Sequence, residues 1–158
     1  MSHELPFQLL EYYHLYDKFQ DPKLSDQEAL KVFRVLCGKG RIIPSWDRFG
    51  KLLGYVETWR ITPDQFVRKL AHEPMDVGLE DINSGPIAFV SNVTIHPDFR
   101  GSGVLRELTQ AFLFQNSDAT YFAGDARRKK EGLVKLFRVD KLSHKELKVW
   151  AASGLLHA

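Results

Sequence analysis

Residues 87–115 constrain the fold more than any other part of the chain, because a strong strand signal there runs directly into a glycine turn and a helix. The strand, IAFVSNVTIH, is rich in apolar and β-branched residues. The helix covers about 104–115 and carries apolar residues at helical spacing. A second short apolar run at 119–124 predicts another strand after the helix. This strand–turn–helix–strand order predicts a sheet with a helix packed on it, in an α/β or α+β fold.

The turn between strand and helix has the composition of an anion-binding site. Gly101 and Gly103 allow a ligand to approach the backbone without a Cβ in the way. The start of the helix adds free backbone N–H groups and the positive end of the helix dipole. A phosphate or pyrophosphate at 101–105 is therefore one interpretation, and a plain tight turn is the other. The motif is neither a Walker A loop nor a dinucleotide fingerprint, because the Lys-Ser/Thr ending is missing and Arg106 replaces the third glycine.

The whole chain, 1–158, predicts one domain of α/β (α+β) class with a mixed sheet and a helical N-terminal part at 1–40. The turn-rich segment 73–86 has the length of an ordered surface loop rather than of a domain linker. Segment 127–142 is ambiguous, because VKLFRV alternates like a strand while its leucines also fit a helix. The remaining predicted elements are helices at 5–19, 25–38 and 62–72, an extended stretch at 41–44, and strands at 51–61 and 147–151.

Cysteine and histidine usage excludes several classes of site. The single cysteine, Cys37, rules out a disulfide framework and any multi-cysteine zinc or iron–sulfur site. The six histidines show no metal-ligand spacing, so no metal is predicted. Ser102 lies in Gly-Ser-Gly rather than in the Gly-x-Ser-x-Gly elbow of hydrolases. No apolar run approaches the roughly 20 residues of a membrane span and no signal peptide is recognisable, so we expect a cytoplasmic protein without a membrane partner.

The charge is unevenly distributed along the chain. Residues 126–148 hold nine Lys or Arg against three acidic residues, whereas the rest of the chain is net acidic. The basic segment indicates either a polyanionic partner, such as a phosphate-bearing cofactor, or a solvated surface. No recognisable nucleic-acid motif accompanies the charge, so a nucleic-acid partner is not expected.

The run NVTIHPDFRGSGVLREL resembles the acetyl-CoA-binding motif of the Gcn5-related N-acetyltransferase (GNAT) superfamily. In that family a strand ending in hydrophobic-x-hydrophobic-x-Pro leads into an acidic-aromatic pair and then into Arg/Gln-x-x-Gly-x-Gly/Ala. The matching positions here are Val93, Ile95, Pro97, Asp98, Phe99, Arg100 and Gly103. Leu105 departs from the pattern, since the family usually has Gly or Ala there. The order of predicted elements extends the likeness loosely to residues 25–150.

The resemblance implies a GNAT-like fold that binds acetyl-CoA or coenzyme A as the acyl donor. The strand backbone at Val93, Thr94 and Ile95 would pair with the pantetheine arm, and the strand at 119–124 would splay away to open a slot for the thioester. Backbone amides of the turn would hold the pyrophosphate; these residues are Arg100, Gly101, Ser102, Gly103, Val104 and Leu105. From charge alone, Lys or Arg at 127–130 would meet the 3′-phosphate.

The implied chemistry is attack of an amine on a thioester, which needs a base for the amine and often an acid for the leaving thiolate. Glu57 is the predicted base, because alternation places it on one strand face with Tyr55 and Trp59; a solvent-exposed acid is the alternative. The family often supplies the acid from a helical tyrosine, where this sequence has Phe137. Tyr121 is therefore the predicted acid, with a core tyrosine as the alternative. Further candidates to bind the acceptor or a water are Glu80, Asp81, Ser91 and Asn92, and His96 is expected to face solvent.

The leading hypothesis is an acyl-CoA-dependent N-acyltransferase that acts on an amine of a protein or small molecule in a ternary complex. The first alternative is a protein of the same fold that binds coenzyme A or a partner protein with little or no catalysis. The residues that favour this alternative are Phe137, Leu105 and the aromatic run Tyr12, Tyr13 and Tyr16, which would form an exposed adhesive patch. A second alternative, a toxin-activating lysine acyltransferase with acyl carrier protein as donor, rests on FRVDKLSH alone.

Overall fold

A computed structural model describes residues 4–15, 24–71, 73–126 and 133–138. These residues form a five-stranded mixed sheet whose strands lie side by side in chain order. The strands are β1 (Ile42–Trp46), β2 (Leu52–Ile61), β3 (Ile87–Ile95), β4 (Tyr121–Ala126) and β5 (Leu133–Arg138). In the described ranges the α-helices are α1 (Leu5–Leu15), α2 (Asp26–Gly38), α3 (Pro63–Leu70) and α4 (Val104–Gln115). The predicted α/β (α+β) class with a mixed sheet is confirmed.

Local capping residues set the starts of two helices. The backbone N–H of Glu28 donates to the Ser25 hydroxyl at 3.2 Å, so Ser25 caps α2 where the sequence predicts this helix to begin. At the start of α3, the backbone N–H of Gln65 donates to Thr62 Oγ1 at 3.2 Å. The Gln65 side chain accepts the Thr62 backbone N–H at 2.9 Å in return, which completes a capping box. Helix α1 covers the first part of the predicted 5–19, and residues 16–20 lie outside the described residues.

The ambiguous segment at 127–142 contains a strand. β5 pairs antiparallel with β4 along its whole length, so the alternating pattern prevails over the helical one. The predicted strand at 147–151 lies outside the described residues. The loop at 73–86 has the expected irregular structure, and Lys39 ties it to α2 by donating to the carbonyls of Val77 at 2.5 Å and Glu80 at 2.9 Å.

Helices cover both faces of the sheet. α4 lies on the face that carries Ser45, whose hydroxyl donates to the Glu107 carboxylate of α4 at 3.1 Å. α3 lies on the opposite face, where the Lys69 ammonium stands 3.6 Å from the centroid of the Trp59 ring. The sheet therefore presents two chemically different faces, and each has its own set of polar side chains.

Helix α1 belongs to the core. Tyr12 and Tyr13 are both buried. The Tyr12 ring meets the ring of Tyr55 edge-on, with centroids 5.9 Å apart. The expectation of an exposed aromatic patch at these residues is therefore wrong, because the helix turns both rings towards the interior; Tyr16 lies outside the described residues.

Gly85 is required where two chain segments approach closely. A Cβ at this position would lie 1.9 Å from the carbonyl carbon of Ile61. Because that contact is with backbone, Gly85→Ala must displace the loop, and overpacking of this kind costs about 1–3 kcal/mol. We expect urea unfolding to give a free energy of unfolding lower by about that amount.

Gly38→Ala is the matched control for this variant. Its Cβ position has no neighbour within 4 Å, and Gly38 lies in the last turn of α2. Alanine has the better helix propensity, so this variant should be as stable as the parent or more stable by up to about 1 kcal/mol. A Gly85→Ala protein as stable as the parent would contradict the close approach.

Candidate active site

Strands β3 and β4 separate at their carboxyl ends. Their parallel pairing joins Ile87–Val90 to Tyr121–Gly124 and then stops. β3 nevertheless continues to Ile95 and β4 to Ala126. In the described part of the chain, the backbone groups of residues 91–95 that face β4 therefore have no ladder partner. An extended ligand can pair with such a free strand edge as an added strand would.

A β-bulge lies at the point of separation. Across the antiparallel pair of β2 and β3, Glu57 opposes Asn92 and Thr58 opposes Val90, so Ser91 is the extra residue. A bulge leaves its extra residue outside the ladder and increases the local twist. The bulge thus re-aims the β3 backbone where the slot between β3 and β4 begins.

β3 leads directly into the predicted phosphate turn. A short 3-10 helix at Pro97–Phe99 follows the strand, and then Gly101 and Gly103 adopt φ values of 83° and 93°. These left-handed conformations favour glycine, and a Cβ at either position would meet open space. Gly103 is the N-cap of α4 and makes no side-chain cap bond. The first N–H groups of α4 therefore point into an open turn, an arrangement that can hold an anion.

A cluster of polar side chains lies beside the bulge, on the face opposite α4. Glu57 is half-buried, and its Oε2 accepts the Trp59 indole N–H at 3.2 Å. The Asn92 amide donates to the Tyr55 hydroxyl at 3.1 Å and accepts from Thr94 Oγ1 at 3.1 Å. The predicted common face of Tyr55, Glu57 and Trp59 is confirmed, and the bulge adds Asn92 to it.

Tyr55 belongs to this cluster, although no catalytic role was predicted for it from the sequence. Burial raises the pKa of its phenol well above the usual value; the Glu57 carboxylate and Tyr12 add to the effect, and a hydrogen bond with Thr94 opposes it. The hydroxyl is therefore a weak acid that is protonated at neutral pH and can donate a hydrogen bond. Alternation showed that Tyr55 shares a face with Glu57, but only the bulged register brings Asn92 to its hydroxyl.

The structure does not bring Tyr121 and Glu57 together. Tyr121 is half-buried at the start of β4 and opposes Ile87, whereas Glu57 opposes Asn92. The stretch of β3 between these partners spans about 16 Å at roughly 3.3 Å per residue. Tyr121 thus lies at the closed end of the β3–β4 pair, away from the slot.

Position 137 lies in a strand. Phe137 opposes Phe122 across β5 and β4. The comparison with a family tyrosine in a helix after the splayed strand is therefore wrong for this chain. The reason is that residues 133–138 form the sheet edge beside β4, so the structure offers no helical counterpart at that position.

The loop acids are held by neighbours within their own region. Glu80 Oε1 lies 2.5 Å from Arg68 Nη1 of α3. The Asp81 carboxylate accepts the backbone N–H of Asn83 at 2.9 Å, which closes a local turn. These two candidates are thus tied to the loop before β3 rather than to the polar cluster around Glu57.

His96 and Cys37 are both partly covered. The His96 ring packs edge-on against Tyr12 and Phe99, so the expectation that it faces solvent is wrong. Its Nδ1 accepts the backbone N–H of Asp98 at 3.1 Å, which supports the start of the turn. Burial raises the pKa of the Cys37 thiol to about 11, which makes it a poor nucleophile at neutral pH.

The basic residues at 127–130, predicted to meet the 3′-phosphate, lie outside the described residues. Within the described ranges, no three His, Cys, Asp or Glu side chains are grouped so that they could hold a metal ion. No helix in these ranges combines the length and the apolar character needed to cross a membrane.

Comparison with known proteins identifies the fold. The chain matches no protein-family model and no curated protein. It is similar to the crystal structure of the loading GNATL domain of CurA from Lyngbya majuscula, with a TM-score of 0.54 and 13% sequence identity. The match covers 82% of this chain and 64% of that one, so this chain spans less than two thirds of the length of that structure. The fold of this chain is therefore GNAT-like, and at this identity the likeness concerns the fold alone.

Proposed function

We propose that this protein is an acyl-CoA-dependent N-acyltransferase that transfers its acyl group, most simply acetyl, to an amine in a ternary complex. One observation carries the proposal. In the described part of the chain, the free β3 edge at 91–95 begins at the bulge and leads through the 3-10 helix at Pro97–Phe99 to the open turn of Gly101 and Gly103. Such a track suits an elongated ligand with an amide-rich arm and a polyanionic end, as in an acyl-CoA. The GNAT-like fold supports the same assignment.

Coenzyme A would be held mainly by backbone groups. In the proposal the pantetheine amides pair with the free edge at Val93, Thr94 and Ile95. The pyrophosphate accepts from the amides of Gly101 and of 103–105, since the N–H groups of Arg100 and Ser102 donate to the carbonyls of Pro97 and Phe99. The exposed Arg100 side chain adds positive charge. The departure at Leu105 matters little for this contact, because the residue contributes its N–H rather than its side chain. Backbone recognition also accounts for a site whose side chains match the family motif only in part.

The proposed reaction uses the polar cluster beside the slot. Glu57 removes a proton from the acceptor amine, and the amine nitrogen attacks the thioester carbonyl. Main-chain N–H groups at the Ser91 bulge stabilise the charge that develops on the carbonyl oxygen. The new C–N bond forms, the C–S bond breaks, and coenzyme A leaves as a thiolate that takes up one proton.

We assign the proton donor to Tyr55 rather than to Tyr121. The Tyr55 hydroxyl is held by Asn92, a residue of the β3 segment beside the slot. Tyr121 lies at the closed end of the strand pair. Because the Glu57 carboxylate attracts cations, the proposed acceptor is an amine that arrives protonated, on a protein or a small molecule in the cytoplasm.

Ligand-induced stabilisation tests the proposal. At about 100 times its Kd, acetyl-CoA or coenzyme A should stabilise the protein by about 2.7 kcal/mol, which raises Tm by roughly 5–10 °C in a domain of this size. Pantetheine, which lacks the pyrophosphate, should give a much smaller shift at the same concentration. Differential scanning fluorimetry measures both, and native mass spectrometry tests for co-purified coenzyme A. No shift at millimolar acetyl-CoA would refute the cofactor assignment.

A further inference from the structure

The buried side-chain polar atoms that lack a hydrogen-bond partner belong to three residues in the described part of the chain. They are Nε and Nη1 of Arg41, Oγ1 of Thr58 and Oδ1 of Asn116. Thr58 and Asn116 are fully buried, and Arg41 is 9% exposed. Buried polar groups in proteins are almost always hydrogen-bonded, so a group of unpartnered atoms indicates a partner still to be identified.

Two hydrogen bonds to backbone carbonyls bring these residues together beneath the C-terminal end of α4. The Thr58 N–H donates to the Arg41 carbonyl at 2.9 Å, so the two residues are cross-strand neighbours on one face of the sheet. Gln115 of α4 donates from its side chain to the Gly40 carbonyl at 3.0 Å, which places the end of the helix next to Arg41. Asn116 is the next residue of the chain, and α4 covers this same face.

A second guanidinium lies beside the first. Arg60 follows Thr58 on the same face and donates to Asp118 Oδ1 at 2.7 Å and to the Gly85 carbonyl at 2.9 Å. Burial and the charge of Arg60 both lower the pKa of Arg41. No ion pair within the described residues joins Arg41 to a carboxylate, and the Asp118 side chain is 75% exposed. Arg60 thus has an exposed carboxylate as its counter-ion, whereas the equally buried Arg41 has no carboxylate partner in the described part of the chain.

We propose that this cluster binds a small anion of the size of chloride or formate. Arg41 supplies two N–H donors and the uncompensated charge, and the Thr58 hydroxyl can rotate to donate a third hydrogen bond. Asn116 Oδ1 is fixed as an acceptor, because Nδ2 donates to the Phe112 carbonyl at 3.0 Å. It accepts from a water that accompanies the anion. The bound anion neutralises Arg41 and holds the end of α4 on the sheet.

This site is separate from the proposed acyl-transfer site. It lies on the sheet face opposite Glu57, and at the other end of α4 from Gly103. Its test needs no coenzyme A, so the two proposals can fail independently.

Thermal unfolding of the full chain tests the anion site. Sodium gluconate, whose anion is much larger than chloride or formate, is replaced stepwise by sodium chloride or sodium formate at fixed pH and ionic strength. We expect Tm to rise by about 3–5 °C for each tenfold increase of the small anion above its Kd. Arg41→Met should abolish this dependence. Asp118→Asn removes the competing carboxylate, so the rise should begin at a lower anion concentration.

The chloride and formate series distinguish an inorganic anion from a carboxylate as the preferred ligand. The same anion dependence in the parent and in Arg41→Met would overturn the proposal. If Arg41→Met does not fold, NMR of the arginine Nε–H groups in the parent protein tests the site instead. The signal of Arg41 is assigned as the one that is missing from the spectrum of Arg41→Lys. A saturable change of the Arg41 signal with chloride or formate supports the site. A signal that does not respond to either anion means that water fills the cluster, and the proposal falls.

Discussion

Gly103→Glu is expected to abolish the rise in melting temperature that coenzyme A produces in the parent protein. The substitution places a carboxylate in the open space above the first N–H groups of α4, where the pyrophosphate is proposed to lie. Two like charges about 4 Å apart repel by roughly 1–4 kcal/mol in water or near a protein surface, and the pyrophosphate carries more than one charge. Kd should therefore rise at least about 100-fold, as measured by isothermal titration calorimetry.

Two controls separate this repulsion from backbone strain. Gly103→Ala carries the strain of a non-glycine residue at a φ of 93° without the charge, so it should weaken binding far less. Gly50→Glu adds the same charge at a φ of 81° in the turn between β1 and β2, and its Cβ also meets open space. That variant should bind coenzyme A like the parent. Unchanged binding by Gly103→Glu would place the phosphates elsewhere.

Elements with local signals could be predicted from the sequence. Ser25 and the Thr62-Pro63 pair mark the starts of α2 and α3 because their side chains or ring act on backbone groups within three residues. The strand at 87–96 could also be predicted from local sequence, since its run of β-branched and apolar residues has no helical periodicity that competes with the strand pattern. The apolar residues around 133–138 fit both helical and strand periodicity, so only the pairing of this segment with β4 decides between the two structures.

The candidate site mixes local and non-local features. Alternation along β2 was sufficient to place Tyr55, Glu57 and Trp59 on one face. The bulge at Ser91 was not predictable, because it depends on how β3 registers with β2 rather than on any residue type. The position of Tyr121 depends likewise on the parallel register of β4 with β3. Long-range register thus explains why the base candidate fits the polar cluster and the acid candidate does not.

The unpartnered group around Arg41 illustrates the same limit. In the sequence Arg41 follows a glycine turn and has the appearance of an ordinary surface cation. Its burial arises from the packing of α4 over β1 and β2, which brings together residues more than 70 positions apart, as in the Gln115–Gly40 contact. No short motif could indicate such a cluster.

Glu57→Gln is expected to lower kcat by about 10²–10⁴-fold at neutral pH, the usual contribution of a general base. Glutamine keeps the size of the side chain and can still accept the Trp59 indole N–H, so the fold and the affinity for coenzyme A should be unchanged. Release of free thiol from acetyl-CoA, measured against a panel of amines and lysine peptides, gives the rate. The loss should shrink as pH rises towards the pKa of the acceptor amine, about 10.4 for a lysine, because the amine then deprotonates without help.

Tyr121→Phe is the matched control, since it also removes a titratable group. Tyr121 lies opposite Ile87, about 16 Å along β3 from Asn92, the residue opposite Glu57. Its rate should equal that of the parent. If Tyr121→Phe loses as much activity as Glu57→Gln, the placement of the slot at the carboxyl end of β3 is wrong. A Glu57→Gln rate equal to the parent rate at every pH would remove Glu57 from the mechanism. If the parent protein acylates no amine but still binds coenzyme A, the alternative of a non-catalytic binding protein with the same fold is favoured. The backbone groups that are proposed to bind coenzyme A do not themselves require a catalytic base.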